Sequence, residues 1–169
     1  MLGLYENFPE NVHERITFTH LVSTKKLQQK LIEMLFELNN RTFDFNEISC
    51  PTIPKCIINF EIGIAEENNF NFIDKAELQK TIAATNKTCF QTMDFFWAIQ
   101  YHTKTEEKMK PLKFDYYLLR LLFKERIVEA QVVHERGPRY VSPKDLVEFL
   151  VKKLNLIYQK KVIKLAKVE

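Results

Sequence analysis

A chain of 169 residues, 46% hydrophobic and 28% charged, is long enough to bury a core of its own and too apolar to be disordered along its length. A formal charge of +3 permits an acidic partner but falls short of a strong basic excess, and three cysteines, an odd number, disfavour a paired disulfide framework and point to a reducing compartment, read as the cytoplasm. No basic and apolar leader opens the sequence, and no apolar run approaches the roughly 18 residues of a membrane-spanning helix, so a single domain over 1–169 with no membrane association is expected.

Residues 1–11 hold Pro9 and two asparagines and read as an irregular lead-in docked through Leu4, Tyr5 and Phe8. From Val12 to Val22, apolar Val12, Ile16, Phe18 and Val22 alternate with polar Arg15, Thr17 and Thr19, the period of a strand, with Glu14, His20 and Leu21 as exceptions. Ser23 or Thr24 can cap a helix in which Leu27, Leu31, Met34, Leu35 and Leu38 share one side. Residues 41–55, with Pro51 and Pro54, read as a connecting loop.

Ile58, Phe60, Ile62 and Ile64 alternate with Asn59, Glu61, Gly63 and Ala65, the clearest strand period in the chain, and Gly63 marks either a bulge or a close backbone approach. A polar segment, Glu66 to Asn71, leads to a short helix around Asp74 to Ala84 with Asp74 as its cap. Met93, Phe95, Trp97, Ile99 and Tyr101 then lie on one face of a third strand, and Asp94, Phe96, Ala98, Gln100 and His102 on the other. Residues 103–110 read as a charged loop.

Aromatic and β-branched residues favour a hairpin of strands over about 112–123 and 126–134. The same residues also fit one long helix that stops at Gly137-Pro138. Ser142 as cap, Pro143 in the first turn and Asp145 three residues on predict a last helix with Leu146, Val147, Leu150, Leu154 and Ile157 inward. Residues 162–169 either extend that helix or add a strand. The expected order is β-α-β-(α)-β-β-β-α: an α+β fold with one mostly antiparallel sheet and helices packed on one face.

The first candidate site is the basic loop before the last helix. A helix start offers free N–H groups and partial positive charge, and His134, Arg136, Gly137, Arg139, Tyr140 and Ser142 are placed to close around a phosphate or carboxylate. The alternative is a sharp connection with solvated charges. A second candidate is the polar face of the sheet, where Asn59, Glu61, Asp94, Gln100, His102, Glu129 and Gln131 fit acid–base chemistry, ion binding or a plain solvated surface.

A third feature is the set of aromatics Phe90, Phe96, Tyr116, Tyr140 and Tyr158, with Lys110, Lys113, Arg120 and Arg126 near them in sequence, which suit base stacking or partner contact if exposed. Phe96 and Ala98 on an outer face also suit a partner protein or a second copy. Cys50 and Cys56 stand too far apart for a zinc knuckle, the three cysteines read as small buried residues, and no nucleophile motif occurs, so neither metal nor cofactor is expected. The reading is a non-catalytic binding or assembly module for nucleic acid or another phosphate-bearing partner, with a small-molecule enzyme or ligand carrier on the polar sheet face as the alternative.

Overall fold

The computed structural model describes residues 1–49, 56–104 and 109–166. Among these, the strands are Glu14–His20 (β1), Thr42–Asp44 (β2), Cys56–Glu66 (β3), Asn69–Phe72 (β4), Thr92–Lys104 (β5), Met109–Lys124 (β6), Ile127–Arg136 (β7) and Ile163–Leu165 (β8). The helices are Thr24–Leu38 (α1), Lys75–Lys87 (α2) and Pro143–Tyr158 (α3). One antiparallel sheet runs in the order β2-β3-β5-β6-β7-β1-β8, with β4 hydrogen-bonded to β3. The α+β class with a single antiparallel sheet is as the sequence implies. Among the described residues no helix is long and apolar enough to cross a membrane.

The period-two pattern explains the sheet. Ile58, Phe60, Ile62 and Ile64 of β3 and Met93, Phe95, Trp97, Ile99 and Tyr101 of β5 all face the helices and are buried. The edge-to-face contact of Phe60 with Trp97, centroids 5.3 Å apart at 86°, and that of Phe43 with Phe149, at 84°, lock the layers. Such pairs contribute about 0.5–1.5 kcal/mol each beyond the area they bury. The hairpin of β6 and β7 forms around Glu125 and Arg126, with Arg126 in the left-handed region at φ 62°. Aromatic and β-branched content therefore prevails over the helix-forming Leu-Leu-Arg-Leu-Leu run.

The helix caps are those the sequence offers. Ser23 Oγ accepts from Lys26 N–H at 3.2 Å, Asp74 Oδ1 from Glu77 N–H at 2.9 Å, and Ser142 Oγ from Asp145 N–H at 3.1 Å. Ile157, expected inward, is 38% exposed, because α3 has turned that position past the sheet.

Several connections are more ordered than their composition suggests. Residues 42–44 pair with β3 as a strand and 45–47 form a 3₁₀ turn closed by the Asp44–Glu47 capping box, while 50–55 lie outside the described residues. The polar segment at 66–71 is a tight hairpin, with Glu67 and Asn68 at positive φ, and β4 pairs back onto β3. There Gly63 is a close approach: a Cβ would sit 3.1 Å from Asn71 O and 3.2 Å from Phe70 Cβ. Thr103, Lys104, Met109 and Lys110 belong to strands, with 105–108 outside the described residues. Beyond α3 the chain adds a strand, β8, against β1. The edge of β8 is closed by Asn155, whose Oδ1 accepts from Val162 and Ile163 N–H at 2.9 and 3.0 Å and whose Nδ2 donates to Ile163 O at 3.2 Å.

The lead-in crosses the second face of the sheet. Gly3 N–H donates to Ala65 O and Gly3 O accepts from Asp94 N–H, both at 2.7 Å. Phe8 is buried with Leu118 and Val133, and Tyr5 packs on Phe70.

Candidate functional site

After β7 the chain turns through Gly137-Pro138-Arg139 onto Asp115, a residue of β6 whose side chain is fully buried. Gly137 takes φ 111°, and a Cβ there would meet Phe114 O at 2.2 Å and Asp115 Oδ1 at 2.5 Å, so only glycine fits. Asp115 Oδ1 accepts from His134 Nε2 at 2.8 Å and from Arg139 N–H at 2.7 Å. Its Oδ2 accepts from the Tyr101 hydroxyl at 2.6 Å and from Tyr140 N–H at 3.0 Å. Four donors meet the four lone-pair positions of one carboxylate. The corner's backbone N–H groups and His134 are thus turned onto the chain's own Asp115.

Two tyrosines complete the cluster. Burial first, and then the hydrogen bond to Asp115, push the Tyr101 hydroxyl far above its ordinary value, and burial followed by the Asp115 charge does the same for Tyr117. Both stay protonated and serve as donors, Tyr101 to Asp115 and Tyr117 to Val141 O. His134 stands edge-on to the Tyr117 ring at 5.1 Å.

The loop residues therefore separate by role. His134, Gly137 and the backbone of Arg139 and Tyr140 hold the corner to Asp115, and Ser142 caps α3. The Tyr140 ring packs edge-on to Tyr101 at 5.1 Å. The Arg136 and Arg139 side chains are exposed and make no ion pair among the described residues. Arg136 stands opposite Tyr116 in register and lines a groove on the second face; Arg139 does not line it.

A row of rings along that groove is built by period two acting on three strands. Phe70 of β4, Phe96 of β5, and Phe114 and Tyr116 of β6 all project from the face opposite the helices. Phe70 and Phe96 centroids are 5.7 Å apart, Phe96 and Tyr116 stack at 5.6 Å and 26°, and Tyr116 and Phe114 at 6.2 Å and 5°. With Tyr5 against Phe70 at 4.9 Å, the rings form one row. The groove, about 690 Å³, is walled by Tyr5, Asn7 and Pro9 on one side and by Glu135 and Arg136 on the other.

The polar positions of the same face fall into three separate groups. Gln100 bridges Asn59 and Glu61 at 3.1 Å each, and His102 Nε2 contacts Asn59 Oδ1. Glu129 accepts from Gln131 at 2.6 Å and lies 3.9 Å from Arg15. Asp94 is fully buried under the lead-in, where Arg120 holds it through Nε and Nη2 at 2.8 Å each and Tyr5 N–H donates to it at 2.7 Å. Asp94 is thus the anchor of the lead-in, and the predicted polar residues do not converge on one centre. Among the described residues no three His, Cys, Asp or Glu side chains gather where an ion would sit.

Of the other aromatics, Phe90 and Tyr158 pack on the core, and Gln28 clamps Phe90 by donating to its carbonyl at 2.8 Å and accepting from its N–H at 3.0 Å. Cys56 is buried, which pushes its thiol up and leaves it unreactive; Cys89, expected buried, is exposed; Cys50 lies outside the described residues. Asp115 was not among the residues singled out from sequence. Its signal was available: it shares the parity of Tyr117, Leu119 and Leu121, and a carboxylate on an inward-facing position requires partners.

Fold and face define an α+β protein with one antiparallel sheet, helices on one side and an aromatic groove on the other. No protein-family model matches the chain, and no match emerges among curated proteins or solved structures.

Proposed function

We propose that the protein is a non-catalytic binding module whose aromatic groove takes single-stranded nucleic acid, with bases on Phe96, Tyr116 and Phe114 and a phosphate at Arg136. The observation that carries this reading is the continuous row of rings on the sheet face that no helix covers, ending at an exposed guanidinium. Every base has a π-face, so such a row binds with little sequence preference, and single strands offer bases free of a pairing partner. The odd count of three cysteines fits a reducing compartment, the cytoplasm.

The small-molecule alternative is less supported, because Asn59, Glu61, Gln100 and His102 bond one another away from Asp94 and from the Glu129–Gln131 pair, although His102 Nδ1 is buried without a partner among the described residues. A carrier of a flat ligand in the aromatic groove remains a second reading, favoured by a volume of about 690 Å³, within the range of about 300–1,000 Å³ for small-ligand sites.

Fluorescence anisotropy with labelled single-stranded and duplex oligonucleotides tests the proposal. Tyr116→Ala should weaken single-strand binding by the ~1–3 kcal/mol of one base-stacking contact. Arg136→Gln should lower the slope of log affinity against log salt by about 0.7, the value for one phosphate contact on a single strand. Binding that prefers duplex, or is indifferent to Tyr116, would remove the reading.

A further inference from the structure

On the helix side the cover of the sheet is incomplete. Beyond α3, towards β1 and β8, an open groove of about 920 Å³ has an apolar floor of Ile16, Phe18, Val151 and Ile163. Leu156 of α3 and Leu165 of β8 stand at its mouth, 59% and 67% exposed. Leu165 pairs with Phe18, so it points to the helix side of the sheet, and at 67% exposure it has little over it there among the described residues. The rim carries Lys144, Lys152, Lys160 and Lys161 against Glu14 and Glu148.

We propose that this groove docks an acidic amphipathic helix of another protein. A helix laid beside α3 would continue the helical layer over the last two strands, with apolar side chains at i, i+3, i+4 and i+7 on Leu156, Ile16 and Leu165. Strand addition is opposed, because the Asn155 amide already occupies the outward N–H and C=O of Ile163. The lysine excess selects an acidic ligand. A second copy of this chain would bring the same lysine rim to a two-fold contact, where like charges oppose. The site lies on the opposite side of the sheet from the aromatic groove and is independent of what that groove binds.

The probe is a synthetic peptide of about 18 residues, a helix of about 27 Å, with leucines on one stripe and glutamates elsewhere, labelled and titrated into the full chain. The controls are a scrambled peptide of the same composition and a charge-reversed peptide with lysines for glutamates. The acidic amphipathic peptide should bind at least about tenfold more tightly than either control, and more weakly as salt rises. Leu156→Glu with Leu165→Glu should lower its affinity by about tenfold or more. Because Leu165 lies on a short strand, the exposed pair Lys152→Glu and Lys160→Glu provides a second variant that leaves apolar packing alone. That pair should weaken the acidic peptide and strengthen the charge-reversed one. Equal binding of the scrambled peptide, indifference to both variants, or a concentration-dependent dimer abolished by Leu156→Glu would each overturn the proposal.

Discussion

Asp115→Asn tests whether the basic corner is organised by an internal anion. The two oxygens of Asp115 each accept two hydrogen bonds, one from a backbone N–H and one from a side chain. An asparagine keeps the shape but presents one acceptor and one NH₂, so whichever way the amide turns, the N–H of Arg139 or that of Tyr140 faces a donor. The side chains adapt more easily: the Tyr101 hydroxyl can rotate, and His134 can change tautomer to accept. The expected loss is one hydrogen bond to a charged group, about 1.5–3 kcal/mol, plus an unsatisfied buried N–H at about 1–3 kcal/mol, near 4 kcal/mol together. That is a large share of the roughly 5–15 kcal/mol that holds a domain folded. Urea denaturation followed by circular dichroism measures it as a lower midpoint at unchanged slope. Amide resonances of 134–142 should broaden or shift before the rest of the sheet. A loss below about 1 kcal/mol with those resonances unmoved would show that the corner holds its shape without the carboxylate.

Two further stability changes follow from single contacts. Ser142→Ala removes the acceptor of Asp145 N–H and should cost about 1 kcal/mol, read from the thermal midpoint. Asn155→Ala strips the Val162 and Ile163 backbone of three hydrogen bonds and should cost about 2 kcal/mol. It should also uncover the edge of β8, so sedimentation should show association that grows with concentration and is absent in the parent.

The sequence made the inward faces legible wherever a residue's parity alone decides its environment. The alternations in β3 and β5 identify the buried positions, and the Ser, Asp and Ser caps identify three helix starts. Parity fails at β2 and β4. Each is too short for a period to show, and each is held by a partner distant in sequence: Thr42–Asp44 by β3, and Asn69–Phe72 by a turn whose Glu67 and Asn68 carry no glycine signal. The sharp corner before the last helix was legible, because Gly-Pro before a capped helix is local information; the carboxylate it closes on is Asp115. That carboxylate was not legible, since Asp115 lies nineteen positions before His134 and meets it only through the register of β6 and β7. The polar sheet face failed for a related reason: alternation gives the side of a strand on which a residue lies, but not whether a segment such as residues 1–9 covers it.

That segment determines what the aromatic groove can do. A terminal stretch of irregular chain would ordinarily fray, and a groove with such a wall would have to order it on binding. Here the wall is tied at three levels. Gly3 exchanges two backbone hydrogen bonds with β3 and β5, Phe8 is buried against Leu118 and Val133, and Arg120 grips Tyr5 O at 3.0 Å while its guanidinium lies 4.3 Å over the Phe8 ring. Burying one phenylalanine contributes about 1.5–3 kcal/mol, which is enough to keep the segment down. The Asp94–Arg120 pair is a poor source of net stability, because both charges leave water to form it. Its effect is positional: four hydrogen bonds among Asp94, Arg120 and Tyr5 leave Tyr5 one place to stand, against Phe70 at the head of the row. Under the proposed function, a ligand would meet a wall and a row of rings already in place, so the free energy of stacking would go into affinity and not into ordering the protein.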